Sequence, residues 1–277
     1  MNKQGERGIE WTRVYGRTGY TWNVVGGCLH NCEWFINGEV AGCYAKTIAE
    51  RVARAAFPQG FEHHYFHPGR LSEPSKIKEP SGIFLDSMSD LMGHWVPSDE
   101  VQRVLDVCAD NPQHIFFLLT KNSPRLPEFQ FPANVWVGVS SPPDYMWGKK
   151  LTDDMKKRML HKSLSVLHDI DATVTWMSFE PLSWDVSSIV AEHPNALQWA
   201  VIGAASNGRV EYPPKERHLT ALLDVLDADG ASVFYKGNLR SLPYARSNWR
   251  EAFPVTPQAG DYEPVVFDAV PVQMSMF

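Results

Sequence analysis

The chain has 277 residues, 44% of them apolar, and a formal net charge of −6. That is apolar material for one large α/β domain or two small ones, and the acidity excludes a globally basic nucleic-acid binder while leaving room for a local basic groove. No apolar run approaches the ~20 residues of a membrane span, and the first residues, Met-Asn-Lys-Gln-Gly-Glu-Arg-Gly, lack a signal-peptide core, so a cytoplasmic protein with no membrane partner is expected.

Residues 1–19 are polar and read as an N-terminal arm anchored by Ile9 and Trp11. A strand at 20–25 then leads into Gly26-Gly27 and a loop holding three of the four cysteines, Cys28, Cys32 and Cys43. In a cytoplasmic chain clustered thiols point to metal binding or catalysis rather than disulfides. Three soft ligands in one strand-to-helix loop suggest a metal ion or an iron–sulfur cluster. A helix at 45–56 follows, with Ile48 and Val52 at helical spacing. Residues 57–80, rich in Pro, His and Gly, read as a long surface loop. His63, His64 and His67 there have metal-like spacing, and the loop composition favours a solvated reading.

From residue 83 onward strands and helices alternate. Strands are predicted at 83–85, 114–119, 135–139, 173–179, 198–202 and 232–235, with helices at 97–109, 151–168 and 214–227. Cys108 lies on the apolar stripe of the first of these and reads as a core thiol. Residues 240–277 form a tail with little periodicity, packed on the rest. Seven short apolar strands separated by helices indicate repeated βα units and a parallel sheet, and continuous runs such as 115–119 fit strands buried on both faces.

Polar residues end these strands: Asp86 and Ser87, then Ser89, Thr120 and Lys121, Ser140 and Ser141, Glu180, and Ser206 with Asn207. In parallel α/β folds the site lies at that edge, and Cys28 ends the first strand on the same edge. There is no phosphate-binding P-loop, no H-E-x-x-H helix and no G-x-S-x-G elbow.

Motifs in fixed order carry a resemblance. They are Ile9-Glu10-Trp11-Thr12, Thr21-Trp22-Asn23, Gly27-Cys28, Cys43-Tyr44-Ala45, Asp86-Ser87-Met88-Ser89-Asp90-Leu91, Leu119-Thr120-Lys121, Val135-Trp136-Val137-Gly138-Val139, Ser178-Phe179-Glu180-Pro181-Leu182, Val201-Ile202-Gly203 and Phe234-Tyr235-Lys236. The chain resembles a phage and prophage family of three-cysteine proteins related to the radical S-adenosylmethionine (SAM) enzymes. The resemblance implies a partial (β/α) barrel of about six or seven parallel strands over residues 20–239. It implies a [4Fe–4S] cluster on Cys28, Cys32 and Cys43, with one iron left open for SAM. It places Asp86, Ser87, Ser89, Ser140, Gly203 and Ser206 at the cofactor and Lys121 and Glu180 in catalytic positions. It further implies a nucleic acid or nucleotide substrate and a phage-encoded partner protein.

Two departures stand out. The usual cysteine loop is C-x3-C-x2-C, whereas ten residues separate Cys32 from Cys43. Where the family tends to carry Gly-Gly-Glu-Ser, this chain has Gly203-Ala204-Ala205-Ser206, so a substrate or SAM contact differs. The alternative is a zinc-stabilised nucleic-acid- or protein-binding module without radical chemistry, with His30 or another histidine as fourth ligand; otherwise His30 is a solvated loop residue. Trp34, Phe35, Tyr145 and Trp147 either stack a base or form a lid over the site. Arg240, Arg246 and Arg250 contact phosphates or form a solvated face.

Overall fold

The computed structural model describes residues 1–5, 8–36, 39–206 and 211–263. Its centre is one eight-stranded sheet. Seven strands are parallel and follow chain order: β1 (Thr18–Trp22), β2 (Ser81–Leu85), β3 (Ile115–Thr120), β4 (Val135–Ser140), β5 (Thr175–Phe179), β6 (Trp199–Ile202) and β7 (Ser232–Tyr235). Asn2–Lys3 adds an antiparallel edge to β1. The fold is mixed α/β with a mostly parallel central sheet. Among the described residues no pairing joins the first strand to the last, so the sheet is open rather than a closed barrel.

Helices α1 (Tyr44–Arg51), α2 (Ser98–Ala109), α3 (Asp153–Asp169), α4 (Ser187–Ala191) and α5 (Glu216–Ala228) fill the connections, and α6 (Pro243–Arg246) follows β7. A 3-10 turn, Ser123–Glu128, serves between β3 and β4. The sequence explains the starts. Thr152 Oγ1 accepts the Met155 amide at 3.3 Å, and Asp153 and Asp154 face the helix dipole of α3. In α2 the buried positions Val101, Val104, Leu105 and Cys108 recur at helical spacing, which makes Cys108 a core thiol.

Period-2 alternation divides the strands between two cores. One set, including Phe116, Leu118, Val137, Val139, Met177 and Ile202, packs with the helices. The other set is aromatic: Phe84, Phe117, Trp136, Trp176, Trp199 and Phe234, joined by Trp11 from the N-terminal segment and Phe253 from the C-terminal one. Phe117 and Trp199 have ring centroids 5.8 Å apart. Two strands lie between their own, so a flat sheet would hold them about 14 Å apart. The sheet is therefore strongly curved, with the aromatic set on its concave face. Gly138 makes that packing possible, because a Cβ there would sit 2.2 Å from the Trp176 ring.

Two elements are shorter than their apolar patterns suggest. β1 stops at Trp22, and Val25–Gly26 instead pairs antiparallel with Tyr65–Phe66 from the long loop. Helix α1 ends at Arg51 because only Ala45 and Ala49 are buried on it, too little to hold a longer helix.

Candidate active site at the carboxyl edge

The ten-residue gap in the cysteine loop is a β-hairpin. Glu33–Ile36 pairs antiparallel with Glu39–Gly42, and Glu33 stands opposite Gly42. Cys32 and Cys43 are the next positions outward on the two arms. Opposed residues in such a ladder have Cα atoms about 5 Å apart, so the hairpin leaves the chain where it began. Cys28 is fixed by its amide, which donates to Phe61 O at 2.9 Å. Each thiol lies within electrostatic reach of the other two, and all are free. Burial pushes the Cys28 thiol well up, with Asp90 and the other thiols adding to it. Burial likewise pushes Cys32 up to about 12 against the opposing pull of Lys121.

His30, between the first two cysteines, is buried at 2% exposure. The solvated-loop expectation is corrected: its Nε2 bonds Asp90 Oδ2 at 2.7 Å, and its ring meets Trp95 edge-on at 4.9 Å. Asp90 also accepts the Lys121 amide at 2.8 Å and the Met92 amide at 3.0 Å. Burial works to raise the Asp90 pKa, but these hydrogen bonds outweigh it and hold the carboxyl below its usual value. One carboxylate thus ties the cysteine loop to the end of β3.

Strand alternation delivers the rest. Two to four residues beyond the aromatic layer, the concave face carries Lys121, Ser140, Ser178, Glu180, Gly203 and Lys236. Burial pulls the Lys121 ammonium down, but Cys32, Cys43, Asp90 and Cys28 outweigh it, and its pKa is raised. Its Nζ lies 5.8 Å over the Trp34 ring, so the hairpin's inner side bends back over the sheet edge. Glu180 pairs with Lys236 at 2.6 Å. Asn238 meets Ala204 twice, accepting its amide at 3.1 Å and donating to its carbonyl at 2.7 Å. These groups line a cavity of about 690 Å³ together with Trp34, Ala41, Tyr44 and Ser87, a size within the usual range for a small-ligand pocket.

Residues 6–240 match the family described as "Protein of unknown function (DUF5131)". The chain belongs to that family. No curated protein matches it. Among solved structures, spore photoproduct lyase complexed with dinucleoside spore photoproduct aligns at a TM-score of 0.52 and 8% identity, over 78% of this chain and 76% of the other. A mutant of that lyase with bound AdoMet and the dinucleoside gives 0.50 and 8% over the same shares. A radical SAM methyltransferase from Sphaerobacter thermophilus gives 0.40 and 12%, over 79% and 66%. At such identities the likeness concerns the fold.

Within this DUF5131 chain the expected site residues divide into two groups. Cys28, Cys32 and Cys43 lie within electrostatic reach of one another, and Ser87, Lys121, Ser140 and Glu180 line the cavity. Asp86 is instead buried: it accepts the Val25 amide at 2.8 Å, and burial pushes its carboxyl up to about 8. It holds the turn after β1 rather than lining the cavity. Ser89 does similar work, its hydroxyl donating to Gly27 O at 2.5 Å. Gly203 makes room for the ion pair, since a Cβ there would meet Lys236 Cδ at 3.0 Å and Glu180 Cγ at 3.3 Å. Ser206 ends a short strand, Ala205–Ser206, and its side chain, like Asn207, lies outside the described residues. The sequence reading missed Asp90, His30, Lys236 and Asn238. Alternation along β7 was the available signal for Lys236, two positions after the inward Phe234.

His64 pairs with Glu100 at 2.7 Å and His67 stacks on Tyr65, so the three loop histidines do not form a cluster. Arg240 and Arg250 pair with Glu251 and Asp227, and Arg246 donates to the Arg240 carbonyl. No helix among the described residues is long and apolar enough to cross a membrane.

Proposed function

We propose that this chain is a radical SAM-type enzyme whose cluster is held by Cys28, Cys32 and Cys43 at the carboxyl edge of the sheet. The observation that carries the reading is the hairpin, whose base at Glu33 and Gly42 returns Cys43 to the neighbourhood of Cys32 despite the stretched spacing. Among the described residues no three His, Cys, Asp or Glu side chains are close enough to hold one metal ion. Three cysteines in one loop, with the fourth, Cys108, in the core, are the number a cluster with one open iron would need.

When bound, such a cluster supplies one electron to cleave SAM and generate a radical that abstracts hydrogen from a substrate. The chain's own residues bind and orient. Lys121 offsets the negative charge of the thiolates. Asp90 and His30 hold the loop that carries two of them. Ser87, Ser140 and Ser178 offer hydroxyls to SAM and substrate. Glu180 and Lys236 present a paired acceptor and donor at the opposite wall. The tryptophan layer closes the floor to water.

The substrate class we propose is a nucleic acid or nucleotide. It is supported by the solved lyase of similar fold, which carries a dinucleoside. Anaerobic reconstitution with iron and sulfide, then incubation with SAM and a reductant, tests the reading. Formation of 5′-deoxyadenosine that depends on all three cysteines is the expected result. A chain that binds one zinc, takes up no iron and leaves SAM intact is the zinc-stabilised binding module instead.

A further inference from the structure

Val255 apart, every large apolar side chain standing exposed among the described residues is on the hairpin, on α1 or the residue that ends it, or in the turn at 145–150: Phe35, Val40, Tyr44, Ile48, Val52 and Trp147. The hairpin belongs to a small four-stranded sheet ordered Lys149–Lys150, Tyr145–Met146, Glu33–Ile36, Glu39–Gly42. Its two faces differ. Trp34 and Ala41, a cross-strand pair, face the cavity. Phe35 and Val40, the next pair, face outward and are 49% and 54% exposed. Tyr145 stands opposite both Glu33 and Lys150, which puts it on the outward side with Phe35. Trp147, 49% exposed, caps the neighbouring turn.

The charges around this face decide what covers it. Lys149 and Lys150 are exposed, and neither forms an ion pair among the described residues. Lys150, opposite Tyr145, shares the face with Glu33, while Lys149, opposite the buried Met146, leaves the same edge strand on its other side; Lys46 on α1 is already engaged by Glu62 at 2.8 Å. Two exposed rings, Phe35 and Trp147, and the half-exposed Tyr145, with unpaired lysines along the adjoining edge strand, match the chemistry of a single nucleic-acid strand, with ring faces for bases and ammonium groups for phosphates.

We infer that the outer face of this small sheet, built on Phe35, Tyr145 and Trp147 and bordered by Lys149 and Lys150, is a docking platform for single-stranded nucleic acid. It lies on the back of the hairpin whose front lines the cavity, so a strand stacked here reaches the cavity mouth. The inference deepens the proposed function and rests on it for what the cavity does with the strand. Docking itself needs neither cluster nor SAM, so the two fail separately.

The test titrates full-length, unreconstituted protein into fluorescein-labelled oligothymidylate and oligouridylate of about 15 nucleotides, reading anisotropy at several salt concentrations. The DNA and RNA arms identify the natural strand. Phe35→Ala is expected to weaken binding about tenfold or more, and Phe35→Leu nearly as much, because a branched aliphatic chain does not stack. Lys149→Gln with Lys150→Gln should make the salt dependence shallower by about 1.4 log units per log unit of salt, at about 0.7 per phosphate contact. These positions are exposed, and circular dichroism confirms that the variants fold. The inference is overturned if neither strand binds at low salt, if the variants bind like the parent, or if Phe35→Leu keeps full affinity. Self-association abolished by Phe35→Ala would also overturn it and assign the face to a second copy of the chain.

Discussion

The two ends of the concave face, made by the same seven strands, have opposite chemistry. At the amino-terminal half, Phe117, Trp136, Trp176 and Trp199 form a sealed aromatic layer. Four residues further along the same side, Lys121, Ser140 and Glu180 open onto a cavity, joined by Lys236, which follows Phe234 by two. Two periods of alternation separate a floor that excludes water from a rim that binds. The four cysteines repeat the contrast. Cys108 sits in the helix-packed core at 0% exposure, while the other three lie in the loop beyond β1, within electrostatic reach of one another. Composition says nothing about which thiol does which; position along the strand–helix alternation does.

That contrast can be broken at either end. The largest effect belongs to the rim thiols: Cys28→Ala, Cys32→Ala or Cys43→Ala should each abolish iron uptake, measured as iron and acid-labile sulfide per chain, while Cys108→Ala keeps it. At the floor, Trp176→Ala should cost about 3–5 kcal/mol in denaturant unfolding, the usual range for emptying a large aromatic site. A variant that loses less than 1 kcal/mol would mean that the layer is not packed as described.

Asp86 sharpens the boundary between floor and rim. Its folded pKa, raised by burial from the ordinary carboxylate range to about 8, favours the protonated carboxyl. The folded state thus holds a proton that the unfolded state has released, and the stability from this group is lost as pH rises through that window. Between pH 6 and pH 8 the loss is about 2 kcal/mol, at roughly 1.4 kcal/mol per pH unit. Asp86→Asn keeps the acceptor for the Val25 amide and should remove this part of the pH dependence in urea titrations. An unchanged slope would show that Asp86 is ionised in the fold. The smallest effect is at the far wall. Glu180→Gln breaks the charged contact to Lys236 and should weaken S-adenosylhomocysteine binding about tenfold, or about 1.5 kcal/mol, measured by calorimetry on reconstituted protein.

Much of the fold was legible in the sequence because short apolar runs with polar carboxyl ends, spaced by helical patterns, leave few arrangements other than repeated βα units. The convergence of Cys28 with Lys121 and Glu180 on one edge followed from the same pattern. The hairpin was legible and was missed: Asn37-Gly38 is the strongest two-residue hairpin turn signal in a sequence, and it was passed over because the flanking runs are only four residues each. The part played by His30 was out of reach. Its partner Asp90 is sixty residues away, and only the packing of the cysteine loop against the end of β3 brings the two together. Lys236 could have been found, since Phe234 and Lys236 sit on one face by simple alternation.

The central claim is that the hairpin gathers three thiols into a cluster site. The most direct measurement is the metal content and low-temperature electron paramagnetic resonance of anaerobically reconstituted protein beside a variant in which residues 34–41 are replaced by Asn-Gly, leaving Glu33 and Gly42 as the hairpin base. The account predicts iron and sulfide at cluster stoichiometry and a reduced cluster signal in both proteins, because the short turn keeps Cys32 beside Cys43. Stoichiometric zinc without iron in the parent, or uptake by the parent that a Cys43→Ala variant retains in full, would contradict it.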